Sequence, residues 1–386
     1  QASGKLDEAI AEFEILITQF SKNKYAQEAG WRIGFLRYLQ KDFVVAEKRF
    51  QANYKQFPTG LLAEANLYWR GKALERLGQT GLAEKIYMDL NARFPYRYYG
   101  IRALSRLHIK TNTHPFSSNN AQSIPFASAK KLSAPTTPTL NRKAQENLRR
   151  AEDMLEMQLQ ENALYELKIL ESRIPKNLSG TIWLASLYNR AKKYNEAYRI
   201  MELYQKYKTK KWEKGLPSRF WSLYYPQAYN EIVIQYSRKN KIDPLWVRSI
   251  IRQESLFNSL SLSGAGAIGL MQIMPKTGEK MLETSTSSEL GPNILFDPQL
   301  NVRLGTKYLG KLNKRYNGNW IHILICYNAG PKALKNWLKR FETVYDSDVF
   351  IELIPFPETR KYVKLVSRNY GIYKMLYPED VLPEIR

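Results

Sequence analysis

Glu254 is the only carboxylate between residues 251 and 275, where the chain reads IRQESLFNSLSLSGAGAIGLMQIMP. Upstream, Asp243-Pro244 supplies an N-cap followed by a proline at the first helical position. The apolar positions Trp246, Val247, Ile250 and Ile251 then predict a helix that ends at Gln253 or Glu254. A carboxylate at that end faces the negative pole of the helix dipole. Leu256, Phe257, Leu270, Met271 and Met274 are nearby apolar candidates for desolvating it. Both effects favour the protonated form, and a carboxyl protonated near neutral pH is what a general acid requires. The plainer reading is an exposed helix-end acid, and spacing alone leaves both open.

The segment behind Glu254 is less ordinary. Gly264, Gly266 and Gly269 permit a tight turn or a close backbone approach, and Gln272 is a polar group among apolar ones. A phosphate-binding loop is disfavoured, because Lys276-Thr277 falls too late and behind Pro275 to complete the GxxxxGK[ST] pattern. His108, His114 and His322 are too scattered in sequence to suggest a metal cluster. Neither a metal nor a cofactor is expected. The single cysteine, Cys326, rules out an intramolecular disulfide.

Six strings in order resemble the motifs of the soluble lytic transglycosylase family. They are YYPQAY (224–229), RQES (252–255), S-x-x-GA-x-GLMQIMP (263–275), FDPQLNVRLGTKYL (296–309), YNAGP (327–331) and ETRKYV (358–363). The resemblance implies a lysozyme-like domain that cleaves the β-1,4 bond between N-acetylmuramic acid and N-acetylglucosamine in peptidoglycan. It also implies a single catalytic Glu254, acid first and base second. In that scheme the substrate's own N-acetyl group replaces the second carboxylate of most glycosidases, and the product carries a 1,6-anhydro ring. By motif position, Ser263 would hydrogen-bond near the acid or the N-acetyl group. Gln272 and Met274 would line sugar subsites, and Tyr327 and Asn328 would sit beside the reacting ring. Glu358 would lie near Glu254 and orient it or raise its pKa by like charge, and Tyr362 joins the substrate-binding set.

One departure from the family pattern is Cys326, where alanine commonly precedes YNAG. Both side chains are small and usually buried, so packing accounts for the change. A lysozyme-type hydrolase would need a second acid, for which Glu279 and Glu283 are the candidates. A further alternative is a scaffold whose C-terminal part only holds peptidoglycan.

These residues need a frame, and the pattern predicts a mainly α chain. Ala9, Ala46 and Ala83 recur at equal spacing, each followed four residues on by Phe13, Phe50 and Tyr87. Phe20, Phe57 and Phe94 keep the same register. A small residue and an aromatic at i+4 share one helical face, so residues 1–110 read as an α-superhelix of helical-hairpin, tetratricopeptide-like repeats, with a somewhat longer period. Residues 111–140 are rich in Ser, Thr, Asn and Pro and read as a loop or linker. Residues 141–212 resume the repeats, with Ala163 and Ala197 followed by Leu167 and Met201. Residues 213–386 form the candidate lysozyme-like catalytic domain, with later helices expected at 299–315, 320–327, 331–341 and 358–376.

Composition narrows the partners. The chain has 386 residues with 59 Lys and Arg against 36 Asp and Glu, a net charge of +23. Such an excess attracts polyanions, and peptidoglycan stems carry carboxylates. Nucleic acid is not expected, since the basic residues are dispersed and no groove-reading motif is present. No apolar run is long enough to span a membrane. The expected partners are glycan strands and, through the repeats, other proteins. The resemblance implies the periplasm or cell envelope, with an export signal removed ahead of Gln1.

Overall fold

The computed structural model describes residues 2–21, 23–111, 137–208, 216–282, 292–341 and 346–380. It divides into two compact units, Gln1–Asn120 and Ala121–Arg386. The residues around both predicted domain junctions, 112–136 and 209–215, lie outside the described set. Most of the predicted linker falls there.

The first unit holds α1 (Ala2–Gln19), α2 (Lys24–Leu39), α3 (Phe43–Gln56), α4 (Ala63–Arg76), α5 (Thr80–Arg93) and α6 (Tyr98–Thr111), each packed on the next. The predicted small-plus-aromatic face enters the core in its second and third repeats, where Ala46, Phe50, Ala83 and Tyr87 are buried, whereas Ala9 and Phe13 are half-buried and Phe20 is exposed. Each buried ring fills a gap opposite a glycine of the preceding helix. A Cβ on Gly34 would lie 2.7 Å from the Phe50 ring, and one on Gly71 would lie 2.5 Å from Tyr87. Lys41 and Gly78 adopt left-handed backbone between paired helices. Only one of these two corners therefore carries the glycine that such a conformation favours.

The second unit begins with α7 (Arg142–Glu156), α8 (Gln160–Glu171), α9 (Leu178–Arg190) and α10 (Tyr194–Lys208). Ala163, Leu167, Ala197 and Met201 are fully buried, as the repeat pattern requires. There follow α11 (Ser218–Tyr224), α12 (Asn230–Asn240), α13 (Pro244–Ser255), α14 (Pro275–Leu282), α15 (Pro298–Arg315), α16 (Trp320–Phe341), α17 (Ser347–Leu353) and α18 (Pro357–Leu376). Inside α16, Gly330 leaves helical geometry at φ 83° and ψ 164° just before Pro331, which divides the element where two helices were expected. Among the described residues, sheet pairing is confined to isolated bridges, Leu262 with Ile268 and Ile268 with Ile273.

Helix α13 runs through the middle of this core. Its Val247, Ile250 and Ile251 are buried among apolar side chains from α12, α15, α16 and α18. Trp246 is sandwiched between Trp320 and Tyr370, with ring centroids 4.3 and 4.1 Å away.

Candidate active site

The helix that carries Glu254 is fixed at both ends. At its start the Asp243 carboxylate accepts from Leu245 N (2.8 Å) and from Tyr370 Oη (2.9 Å). At its end, Leu256 (φ 49°) and Phe257 (φ 66°) both adopt left-handed backbone. Consecutive non-glycine residues in that region are strained and persist only where their surroundings hold them. Tyr229 Oη does so by donating to Phe257 O at 3.2 Å. The chain thus turns sharply one residue beyond α13, and Glu254 sits half-buried on its last turn.

The glycine-rich segment folds back beside this corner. Ser255 Oγ reaches Leu270 O at 2.8 Å, which ties the end of α13 to the loop. Asn301 of α15, fully buried, ties it from the other side. Its Nδ2 donates to Ile268 O (2.9 Å) and Leu295 O (2.8 Å), and its Oδ1 accepts from Met271 N (2.8 Å). Gly269 leaves room for this bracket. At φ 78°, a Cβ there would lie 2.3 Å from Asn301 Nδ2 and 2.4 Å from Leu295 O.

The carboxyl of Glu254 accepts a hydrogen bond from Tyr362 Oη at 2.6 Å. Burial pushes its pKa from the ordinary carboxylate value up to about 7. The Tyr362 hydrogen bond opposes that rise, and the charge of Glu358 adds to it. Burial also holds the phenols of Tyr327 and Tyr362 well above their usual range, with the Glu254 charge next in importance, so both remain donors. Tyr327 Oη spends its proton on Met271 O at 2.7 Å. The result is a carboxyl poised to give or take a proton near neutral pH.

The other candidates are held in different ways. Gln272, itself left-handed at φ 49°, donates through Nε2 to Ser261 O (3.1 Å) and Gly269 O (3.0 Å), so its amide oxygen remains for a ligand. Ser263 Oγ accepts from Ala267 N (2.9 Å) and keeps its own hydrogen outside that bond. Asn328 Oδ1 accepts from Thr359 Oγ1 at 2.7 Å, joining the YNAGP and ETRKYV strings. Glu358 is exposed at the start of α18. The expected apolar shell needs correction: Phe257, Leu270 and Met271 are buried, but Leu256 and Met274 are 41% and 43% exposed. The left-handed turn at Leu256 aims that side chain outward, and Met274 sits on the open side of the loop.

Cys326 is a buried free thiol that accepts from Tyr316 Oη at 3.7 Å, which fits its packing role. Glu279 is exposed on α14, and Glu283 lies outside the described residues. No cluster of potential metal ligands occurs among the described residues. Sequence reading missed Asn301 as part of the site's support, although it stands inside a quoted string.

The fold and site define a mainly α protein in which helical-hairpin repeats precede a lysozyme-like domain. Residues 231–350 match the family model described as the transglycosylase SLT domain. A soluble lytic murein transglycosylase of Salmonella typhimurium is 39% identical over 151 residues, covering 39% of this chain and 23% of that protein. Two solved structures share the fold with TM-scores of 0.65. One is an inactive mutant of the lytic transglycosylase Slt of Pseudomonas aeruginosa, 22% identical, covering 99% of this chain and 58% of that one. The other is the 70-kDa soluble lytic transglycosylase of Escherichia coli, 19% identical, covering 99% and 63%. The chain thus spans less than two thirds of these relatives. No helix among the described residues is long and apolar enough to cross a membrane.

Proposed function

We propose that the chain is a peptidoglycan lytic transglycosylase in which Glu254 serves as acid and then as base. The observation that carries this reading is the Glu254 carboxyl itself, raised by burial to about 7 and held by Tyr362. A catalytic pKa near the working pH gives both the proton to donate and a base strong enough to recover one.

In the first half-reaction Glu254 gives its proton to the glycosidic oxygen as the bond from that oxygen to muramic acid C1 breaks. The substrate N-acetyl oxygen stabilises the electron-poor C1. Glu254, now a carboxylate, takes the proton of the muramic acid C6 hydroxyl while O6 bonds to C1. The 1,6-anhydro ring closes, Glu254 is protonated again, and no water is consumed. Tyr362 holds the carboxylate between the two steps, and Glu358 favours its reprotonation. The free amide oxygen of Gln272, the hydroxyl of Ser263 and the exposed Met274 face the sugars, with Tyr327 and Asn328 beside the reacting residue.

The basic charge of the chain suits a polymer that carries stem carboxylates. The same substrate places the protein in the periplasm or cell envelope, with its repeats available to glycan strands or protein partners. The test is mass analysis of soluble products from purified peptidoglycan, with wild type beside Glu254→Gln. Anhydromuropeptides from wild type alone are expected. Hydrated muropeptides would assign a hydrolase, and binding without any product would assign a scaffold.

A further inference from the structure

Arg252 is a buried cation that the proposed reaction leaves unused. It is 3% exposed, and among the described residues its guanidinium makes no ion pair. Aromatic faces hold it instead. The ring centroids of Tyr225, Tyr224 and Tyr198 lie 3.9, 4.8 and 5.0 Å from the guanidinium carbon. Its Nε donates to Tyr224 O and its Nη1 to Asn369 Oδ1 of α18, each at 3.3 Å. Behind the rings stands a carboxylate. Tyr198 and Tyr224 stack 5.1 Å apart at 7°, and both hydroxyls donate to Glu202 Oε2. Glu202 and Tyr198 belong to α10, outside the residues 231–350 that match the transglycosylase domain.

Residues two apart on an α-helix project about 200° from one another. The cage therefore grips the face of α13 opposite Glu254. We infer that Arg252 is a positioning residue for Glu254, and that α10 belongs to the catalytic apparatus because it supplies Tyr198 and Glu202 to the cage that fixes the rotation of α13. A buried charge without a carboxylate partner costs stability unless its surroundings compensate it. Only one rotation of α13 places the guanidinium between the three rings, so the same constraint sets where Glu254 points. The titratable groups that face Glu254 are Tyr362 and Glu358 of α18 and Tyr327 of α16. The loop of residues 256–274 carries no ionisable side chain. Arg252 acts on Glu254 through geometry.

This inference rests on the proposed reaction for its kinetic readout, and a second readout is independent of turnover. Full-length Arg252→Met, Tyr198→Leu and Glu202→Gln are compared with wild type for kcat, KM and the titration midpoint of Glu254. The midpoint is followed by carboxyl-carbon NMR without substrate and assigned by the Glu254→Gln difference. Arg252→Met is expected to lower kcat roughly 100-fold with KM nearly unchanged. Tyr198→Leu is expected to lower it roughly tenfold, and Glu202→Gln less. In each folded variant the Glu254 midpoint falls from about 7 toward 4.5, because a loosened helix lets water reach the carboxyl. Non-additive losses in the Arg252→Met and Tyr198→Leu pair are expected from residues that share one cage. If Arg252→Met does not fold, Tyr198→Leu carries the test alone. Wild-type kcat and midpoint in a folded Tyr198→Leu variant overturn the inference, as does a rate loss with the midpoint unmoved. If wild type releases no anhydro product, the proposed function fails, while the midpoint shift still decides the role of Arg252.

Discussion

The repeat helices of the first unit and the loop of residues 256–274 solve opposite packing problems. In the repeats, close helix approach is written twice at the same register: Phe50 opposite Gly34, then Tyr87 opposite Gly71. In the loop each device occurs once. One asparagine brackets it, one glycine makes room for that bracket, and one serine ties it to α13. Repetition spreads the cost of an error across similar interfaces. A single bracket concentrates the cost where the acid sits.

The largest effect should separate chemistry from packing. Glu254→Gln is expected to lower turnover roughly 10³-fold, within the range of general acid–base contributions, while the fold survives. Phe50→Ala should do the reverse. It should cost about 3–5 kcal/mol of stability to a buried cavity and leave kcat unchanged wherever the chain is folded. Parallel denaturation and turnover assays check both, and a large kcat loss in Phe50→Ala would erase the contrast.

Asn301→Ala should combine the two kinds of damage. It strands two buried carbonyls and one amide, at about 3 kcal/mol or more, and it frees the Met271 peptide that anchors Tyr327. A denaturation midpoint close to wild type would show that the loop holds itself without the bracket.

Removing the acid should also stabilise the protein in a defined pH window. Glu254 titrates near its ordinary 4.5 when unfolded and at about 7 when folded. Its contribution to stability is whole below pH 4.5, declines as pH rises to 7, and is constant above that. Relative to wild type, Glu254→Gln is therefore expected to gain about 1–3 kcal/mol at pH 8, after a discount for partial exposure, and nothing at pH 4. Chemical denaturation at the two pH values measures it. A gain at pH 4 that matches the gain at pH 8 would remove the protonated-acid premise.

The smallest effect sharpens the site alone. The Tyr362 hydrogen bond favours the Glu254 carboxylate, so Tyr362→Phe should move the alkaline limb of the pH–rate profile upward. Turnover at neutral pH should fall roughly tenfold, as expected for one charge-assisted bond. A limb that moves downward would reverse the assigned sign.

The same contrast explains what was legible in the sequence. Capping by Asp243-Pro244, the break at Gly330-Pro331 and the small-plus-aromatic register are local, so periodicity and turn chemistry expose them. The left-handed turns at Lys41, Leu256 and Gln272 carry no glycine, and no local signal marks them. Their apolar type makes Leu256 and Met274 candidates to desolvate the acid, yet both are substantially exposed. Hydrophobicity reports a tendency to be buried, and the backbone turn decides the direction. Asn301 and Arg252 act on residues far along the chain or across the core. A sequence string shows that they are present without showing what they touch.

The central claim is that one carboxyl performs both proton transfers and that the sugar's own hydroxyl, not water, closes the reaction. Digestion of purified peptidoglycan in heavy-oxygen water tests it most directly. The account predicts muropeptides that end in a 1,6-anhydro ring, one water lighter than hydrolysis products and free of the label at C1. Label incorporated at C1 of the terminal muramic acid would contradict it.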